Sequence, residues 1–359
     1  MLENVKIIPK TIFNLIATFK KKLPLLYFLL SRILSMLIML FFLGLATFGL
    51  MELTPGDIVD NYVKNQIMNM NDFRNKDNIY NEDEIKLMKA RLGLDKPFYE
   101  QYFNWLKKVF IDHDLGRSLI NKAPITFLIK DRLINSLILN LISLFFLTIF
   151  SFILGIYFSS KAGTNADIVI SFVSMVFHAF PSMMLLILLQ LFALNSALFP
   201  ITAYPDFTYK DAPLKFVFSY THHIMLPLIG AFLGGIGGTL RMVRATMLDQ
   251  IGQPYITALR SRGISEKRIY FNHAFRNTLN PYITSSANLI ASLFSGSLIL
   301  EIIFSYPGIG RLMYEAVLQQ DIYLVMTNLM FISSLILIGM IISDLLLAVV
   351  DPRIKYSNK

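Results

Sequence analysis

The chain holds few groups that could do covalent chemistry. It has 5 histidines and no cysteine, which excludes disulfides, thiolate metal sites and cysteine nucleophiles. His222 and His223 are adjacent, and adjacent side chains diverge on regular structure. No third ligand stands near them, so the pair is read as part of an outer loop and no metal site is expected. His178 lies just before Pro181 in an apolar run, where a neutral imidazole bonded to a neighbouring helix is expected. Asp344 is a carboxylate inside another apolar run. A proton relay would need a chain of such groups, so a structural partner, an Arg or an amide, is expected instead. Gly234, Gly235, Gly237 and Gly238 lack the preceding strand and following Lys-Ser/Thr of a phosphate loop. Small residues in that pattern let membrane helices approach closely. Nucleophile, base and metal ligand cluster nowhere, so no catalytic residue is assigned and the chain is not expected to be an enzyme.

These groups must be positioned by very apolar elements. Of 359 residues, 55% are hydrophobic and 16% charged, against about 25% charged in soluble domains. Mean hydropathy is +0.55. The excess apolar surface must face lipid, where only segments with internally satisfied backbone are stable, here helices. About six stretches are long enough to span, at roughly 20 residues each. They run Tyr27–Met51, Leu133–Ser160, Ile168–Leu194, Ile224–Leu240, Tyr282–Phe304 and Tyr323–Val350. The first is too long for the core of a cleaved signal and is read as a retained helix. Pro181 should kink the third. The fourth should continue into water past Arg241 and Arg244.

The fold class is therefore an all-α integral membrane protein. A basic segment (1–26) precedes the first helix (27–52), and a long extracytoplasmic loop (53–131) follows it. A core with five more spans (132–350) encloses a cytoplasmic loop (245–278), and a tail (351–359) ends the chain. The bases flanking the spans, among them Lys20, Lys161, Arg260, Arg276 and Arg353, place both termini in the cytoplasm. Residues 1–22 have the spacing of an interfacial helix, and 60–90 read as an Asn- and Asp-rich insertion. After Pro97, the spacing of Phe98, Tyr102, Trp105, Leu106 and Val109 predicts a helix in the outer loop.

The basic loop is the most informative stretch. Pro254 is placed to open a short helix and Gly263 to end it in a left-handed turn. A short exposed helix between two membrane helices is a suitable rigid lever.

Tyr255 to Gly263 (YITALRSRG) resembles the EAA-x3-G loop motif of binding-protein-dependent importer permeases. Thr257, Ala258 and Leu259 stand at the EAA positions, so the acidic first residue is absent, and Pro254 replaces a usual Asp. Further matches follow in order: Leu53 to Asp57 (LTPGD), Leu92 to Pro97 with Gln101, Tyr102 and Trp105, Asp114 to Ser118, and His273 to Asn277. Glu301 to Gly310 is similar to ExxFxxPGxG, and Asp344 with Asp351 to Tyr356 is similar to D-x6-DPRIRY. Together these resemble the B-type permease of oligopeptide, dipeptide and nickel ABC importers, over roughly residues 27–356.

The resemblance implies a type I ABC importer permease in the bacterial inner membrane. It would form the path for peptides, pair with a second permease, and receive solute from an extracytoplasmic binding protein. The ATP and Mg sites would lie on two partner ATPases, with no cofactor on this chain and no nucleic-acid partner. The implied ATPase-coupling residues are Gln253, Tyr255, Thr257, Ala258, Leu259, Arg260, Arg262 and Gly263. The implied gate or pathway residues are Pro181, Glu301, Pro307, Gly308 and Gly310, with Asp344 as a structural charge. The residues alone leave two other readings open, an ion-gradient-driven secondary transporter and a membrane sensor or assembly protein. Inverted repeats and several midplane charges, expected of the former, are not evident.

Overall fold

A computed structural model of the chain describes residues 24–53, 90, 95–120, 122–279, 282, 293 and 297–350. Among the described residues the regular structure is helical throughout. In chain order the helices are α1 (Pro24–Glu52), α2 (Phe98–Phe110), α3 (Ile125–Ser159), α4 (Asn165–Ala179), α5 (Ser182–Ser196) and α6 (Pro213–Ile251). Then follow α7 (Pro254–Ser261), α8 (Glu266–Arg268), a π-helical turn (Ile269–Ala274) and α9 (Phe275–Thr278). The last are α10 (Leu298–Ile303), α11 (Ile309–Leu318) and α12 (Ile322–Val350).

Four of these, α1, α3, α6 and α12, are long and apolar enough to cross a membrane, and α4 with α5 makes a fifth if the bent pair is one span. Their outer faces suit a lipid solvent: Leu34 on α1 is 60% exposed and Phe42 is 62% exposed. The expected span Tyr282–Phe304 falls largely outside the described residues, apart from α10. So do the segment 1–22, the insertion at 60–86 and the tail 351–359. Asp344 lies on α12, and its side chain is outside the description.

Three expectations are corrected. The span Ile168–Leu194 is not one kinked helix but two, at 93°. Phe180 and Pro181 are both extended, with ψ of 128° and 122°. Proline lacks the donor and forces its predecessor out of the helical region, so the chain breaks here instead of bending. The long loop ends at Pro124, not Asp131, because α3 begins at Ile125. Lys130, Asp131 and Arg132 occupy its second turn, which a hydropathy criterion misses. His222 and His223 lie within α6, not in a loop. Pro213 supplies a pre-set first helical residue, and nothing breaks the helix before them.

The chain divides into two compact units, one of residues 1–122 and 320–359 and one of 123–319. In the first, α2 turns Tyr102 and Trp105 into a core with Phe48, Ile322 and Met326. Tyr102 donates its hydroxyl to the Phe41 carbonyl at 3.0 Å. A Cβ at Gly44 would meet that ring at 2.6 Å, so glycine makes room for it. Asp321 accepts hydrogen bonds from the Ser118 hydroxyl and the Leu119 N–H. That pairing ties the DLGRS loop to the start of α12.

In the second unit α3, α4 and α5 pack against α6. The α6 glycines carry the close approaches. A Cβ at Gly237 would collide with the Ser174 carbonyl and meet the His178 nitrogen at 2.7 Å, and one at Gly235 would meet Leu147 at 2.7 Å. The His178 ring lies against Gly238, a packing contact, and among the described residues no hydrogen bond to it joins that contact.

Candidate functional site

Two places gather the residues that the sequence singles out. The first follows α6. Pro254 opens α7 with Gln253 as the residue before it, and Arg262 and Gly263 close it. Gly263 has φ of +75°. Its N–H reaches the Arg260 carbonyl at 2.9 Å, and the Ile264 N–H reaches Leu259 at 3.3 Å. This pair of bonds satisfies the last carbonyls of α7 in a Schellman arrangement, which needs the left-handed residue that glycine adopts without strain.

α7 has an inner and an outer face. Ile256 is fully buried among Ile156, Val243, Met247, Ile269 and Ala274. Tyr255 donates to Gln250 Oε1 at 3.2 Å and accepts from Asn277 Nδ2 at 3.1 Å, bridging α6 and α9. Arg260 Nε donates to Glu266 Oε1 at 2.7 Å. That guanidinium holds the Glu266 carboxyl below its usual range, and the Arg260 pKa is raised in return. Leu259 is half-buried, while Gln253, Thr257, Ala258, Arg260, Ser261, Arg262 and Gly263 are exposed. A Cβ at Gly263 would meet nothing within 4 Å. The segment is therefore held rigidly from within and bare on the outside.

The second place is the turn between α10 and α11. Glu301 is fully buried. Its carboxylate accepts the Ser136 hydroxyl at 2.7 Å, the Arg311 N–H at 2.9 Å and the Ser297 N–H at 3.3 Å. It thereby satisfies an open donor at the start of α11. Ser136 in turn accepts the Ile309 N–H at 2.8 Å. Asn135 Nδ2 donates to the Pro307 carbonyl at 3.0 Å, and Gln190 Nε2 donates to Ile303 at 2.6 Å. Tyr306 donates to the Asn135 carbonyl at 2.7 Å, so Tyr220, 2.9 Å away, must donate to Tyr306. Glu301, Pro307, Gly308 and Gly310 thus come together, while Pro181 stands at the α4–α5 bend and is not part of this turn.

Gly308 is not there for a left-handed turn, since its φ is −104°. The left-handed residue is Ser305, with φ of 50°. A Cβ at Gly308 would collide with the Glu301 carboxyl, and one at Gly310 would lie 3.0 Å from it. Both glycines leave space for a buried carboxylate.

Sequence reasoning missed the partners. Asn135, Ser136 and Gln190 are polar residues inside apolar runs, and that alone marks them as bonded within the bundle. It also missed Asp167, which takes a two-pronged ion pair from Arg244 at 2.6 and 2.7 Å and the Gly163 N–H at 3.0 Å. His222 reaches the Leu198 carbonyl and His223 the Ser219 carbonyl.

Several helices long and apolar enough to cross a membrane, with a short polar helix held between two elements, are the make-up of a multi-pass membrane protein. Residues 148–356 match the family of binding-protein-dependent transport system inner membrane components. Residues 25–126 match the corresponding N-terminal membrane component family. The oligopeptide transport system permease protein AppB of Bacillus subtilis (strain 168) is 33% identical over 268 residues, 74% of this chain and 83% of that protein. The inner membrane ABC transporter permease protein YejB of Escherichia coli O157:H7 is 34% identical over 275 residues, 75% of each. The dipeptide transport system permease protein DppB of Lactococcus lactis subsp. cremoris (strain MG1363) is 28% identical over 331 residues, 91% and 99%. The chain belongs to this family, as a multi-pass permease subunit of an ABC importer.

Proposed function

We propose that the chain forms, with a second permease subunit, the path by which peptides enter a bacterial cell. A binding protein delivers them and two ATPase subunits drive the cycle. The carrying observation is the two-faced α7. Ile256 and Tyr255 fix it to α6 and α9, while Thr257, Ala258, Arg260, Ser261 and Arg262 face outward. A rigid helix with a bare polar face suits docking into an ATPase groove. Force arriving there would pass directly into α6, because α7 cannot slide independently. ATP and Mg belong on the ATPases, and this chain carries no cofactor of its own. The positive-inside distribution supports a cytoplasmic placement of α7 and of both termini. In this reading Gln253, Leu259 and Gly263 complete the coupling surface. Glu301, Pro307, Gly308 and Gly310 hold an outer gate element against α3, and Pro181 sets the bend beside the pathway.

Peptide as the substrate rests on the relatives, which are named for oligopeptide and dipeptide transport. The test is a mild-detergent pull-down of the tagged chain from its native membrane, with ATPase activity and peptide uptake assayed after reconstitution. Recovery of a second permease and ATPase subunits, with peptide-stimulated hydrolysis, is expected. A lone polypeptide that transports with an ion gradient and no ATPase would overturn the reading.

A further inference from the structure

We infer that the Asp167–Arg244 ion pair clamps α4 to α6 throughout the transport cycle, so that force entering at α7 reaches the α4–α5 break at Pro181. The inference rests on the coupling role proposed for α7 and extends it to two residues outside that helix. On α6, Val243 and Met247 pack with the buried Ile256 of α7. Arg244, next to Val243, reaches α4 instead. Its Nε donates to Asp167 Oδ1 at 2.6 Å and its Nη2 to Oδ2 at 2.7 Å. One turn of α6 therefore receives α7 and holds α4.

The Asp167 side chain is only 4% exposed and that of Arg244 26%. Taking a carboxylate out of water is costly, and apolar residues of similar volume would hold two helices together without that cost. Burial alone therefore does not mark the pair as a stabilising device. What it adds is geometry, because a two-pronged Arg–carboxylate contact fixes the angle and the axial register of the elements it joins. The same carboxylate accepts the Gly163 N–H at 3.0 Å, which draws the turn before α4 into the joint. A second attachment lies further along both helices. The α4 backbone at Ser174 and His178 meets Gly237 so closely that a Cβ there would collide with it. Two separated attachments prevent α4 from pivoting about either one.

Beyond α4 the chain has a place to bend. Phe180 and Pro181 are extended, and Pro181 has no N–H to bridge the break. Element-terminal residues of this kind absorb backbone rotation at hinges. On the far side α5 is tied down, where Gln190 Nε2 donates to the Ile303 carbonyl at the end of α10 at 2.6 Å. The broken pair thus joins the part of α6 that receives α7 to the turn that holds Glu301.

The test uses the full chain reconstituted in vesicles with its companion permease, ATPases and binding protein. It reads peptide taken up from a mixed tryptic pool per ATP hydrolysed. Asp167→Asn combined with Arg244→Gln removes both charges together, so no lone charge is left buried. Hydrolysis is expected to continue while uptake per ATP falls about three- to tenfold, a size usual for residues that carry coupling without touching either ligand. The chain has no cysteine. In Asp167→Cys combined with Arg244→Cys, a short bifunctional thiol reagent can therefore join only those two positions within it. Joining them is expected to raise uptake per ATP at least about threefold over the unjoined variant, which a fault of folding would not permit. Full coupling in the neutral pair, while Gly263→Glu uncouples, would overturn the clamp and leave the role of α7 standing. So would uptake blocked by joining the two cysteines, because the pair would then have to open during the cycle. Uptake by the native chain that needs no ATP hydrolysis would overturn the reading of α7 and the clamp with it.

Discussion

The α7 segment and the α10–α11 turn both carry family motifs, yet they treat their polar residues in opposite ways. α7 turns its apolar Ile256 inward and leaves Thr257, Arg260 and Arg262 in the open. The α10–α11 turn buries its one carboxylate, Glu301, and surrounds it with donors from α3 and from its own backbone. A motif residue that stays exposed is available to a partner. One that is buried and fully bonded shapes the chain that holds it. The two sets of motif residues are therefore distinguishable by where their polar atoms are spent, which is the contrast expected if one set couples and the other gates.

The largest expected effect lies in the turn. Glu301→Ala leaves the Ser136 hydroxyl and the Arg311 and Ser297 N–H groups without an acceptor. A buried orphaned donor costs about 1–3 kcal/mol; two of these three are only part-buried and fall at the low end, so a loss of about 3–5 kcal/mol is expected, read as a fall in the unfolding midpoint of the purified assembly. Gly308→Ala should act in the same direction, because its methyl would displace the carboxyl. An unmoved midpoint in Glu301→Ala would remove the distinction between the two regions.

The inner face of α7 comes next. Ile256→Ala should cost about 2–4 kcal/mol, as for other buried aliphatic truncations, and should loosen α7 from α6. Transport is expected to fall more than ATP hydrolysis, measured side by side in vesicles. The outer face should behave differently. Ala258→Glu should change stability by no more than about 0.5 kcal/mol, as for surface changes generally, while uncoupling hydrolysis from uptake. Gly263→Glu adds the left-handed strain of about 1–2 kcal/mol and places a charge on the face proposed to dock. Uptake should be lost with hydrolysis retained, whereas Gly263→Asn, which tolerates that backbone, should keep more uptake. Normal uptake in Gly263→Glu would end the coupling role assigned to this face.

Much of this architecture is legible in the sequence for physical reasons. Apolar runs fix α1 and α12 to within a few residues, because lipid leaves the backbone no alternative to helix. Pro254 and Gly263 bound α7 because each has one strongly preferred place at a helix end. The 93° break at Pro181 is harder to read. One proline accounts for the missing donor, but the angle depends on what α4 and α5 pack against. The extra turns of α3 are also hidden, since Lys130 and Arg132 resemble a loop in any hydropathy scan. The buried network around Glu301 is the least legible. Its members, Ser136, Asn135, Tyr306 and Arg311, are spread over more than 170 residues of sequence, as the Asn135–Pro307 bond spans 172. Only the tertiary fold shows that Gly308 and Gly310 serve the carboxylate instead of the turn.

The smallest expected effect tests how firmly the outer face is held. Glu266 has its pKa lowered from the ordinary value of 4.5 by Arg260. A carboxyl with a depressed folded pKa contributes fully above its unfolded value and loses that contribution as pH falls through the folded one. The pair should therefore act unchanged from pH 7 down to about 5 and disappear below the lowered value. Both side chains are substantially exposed, at 41% and 57%, so the worth is at most a few tenths of a kcal/mol after screening. Amide exchange across residues 260–266, compared between the native chain and Arg260→Gln, measures it. At pH 7 the variant should exchange about 1.5- to 2-fold faster, and once the pH is below the lowered pKa the two should converge. A difference that persists after Glu266 is fully protonated would mean that Arg260 orders this loop through packing of its stem, and that the charge pair contributes nothing to the rigidity of the outer face of α7.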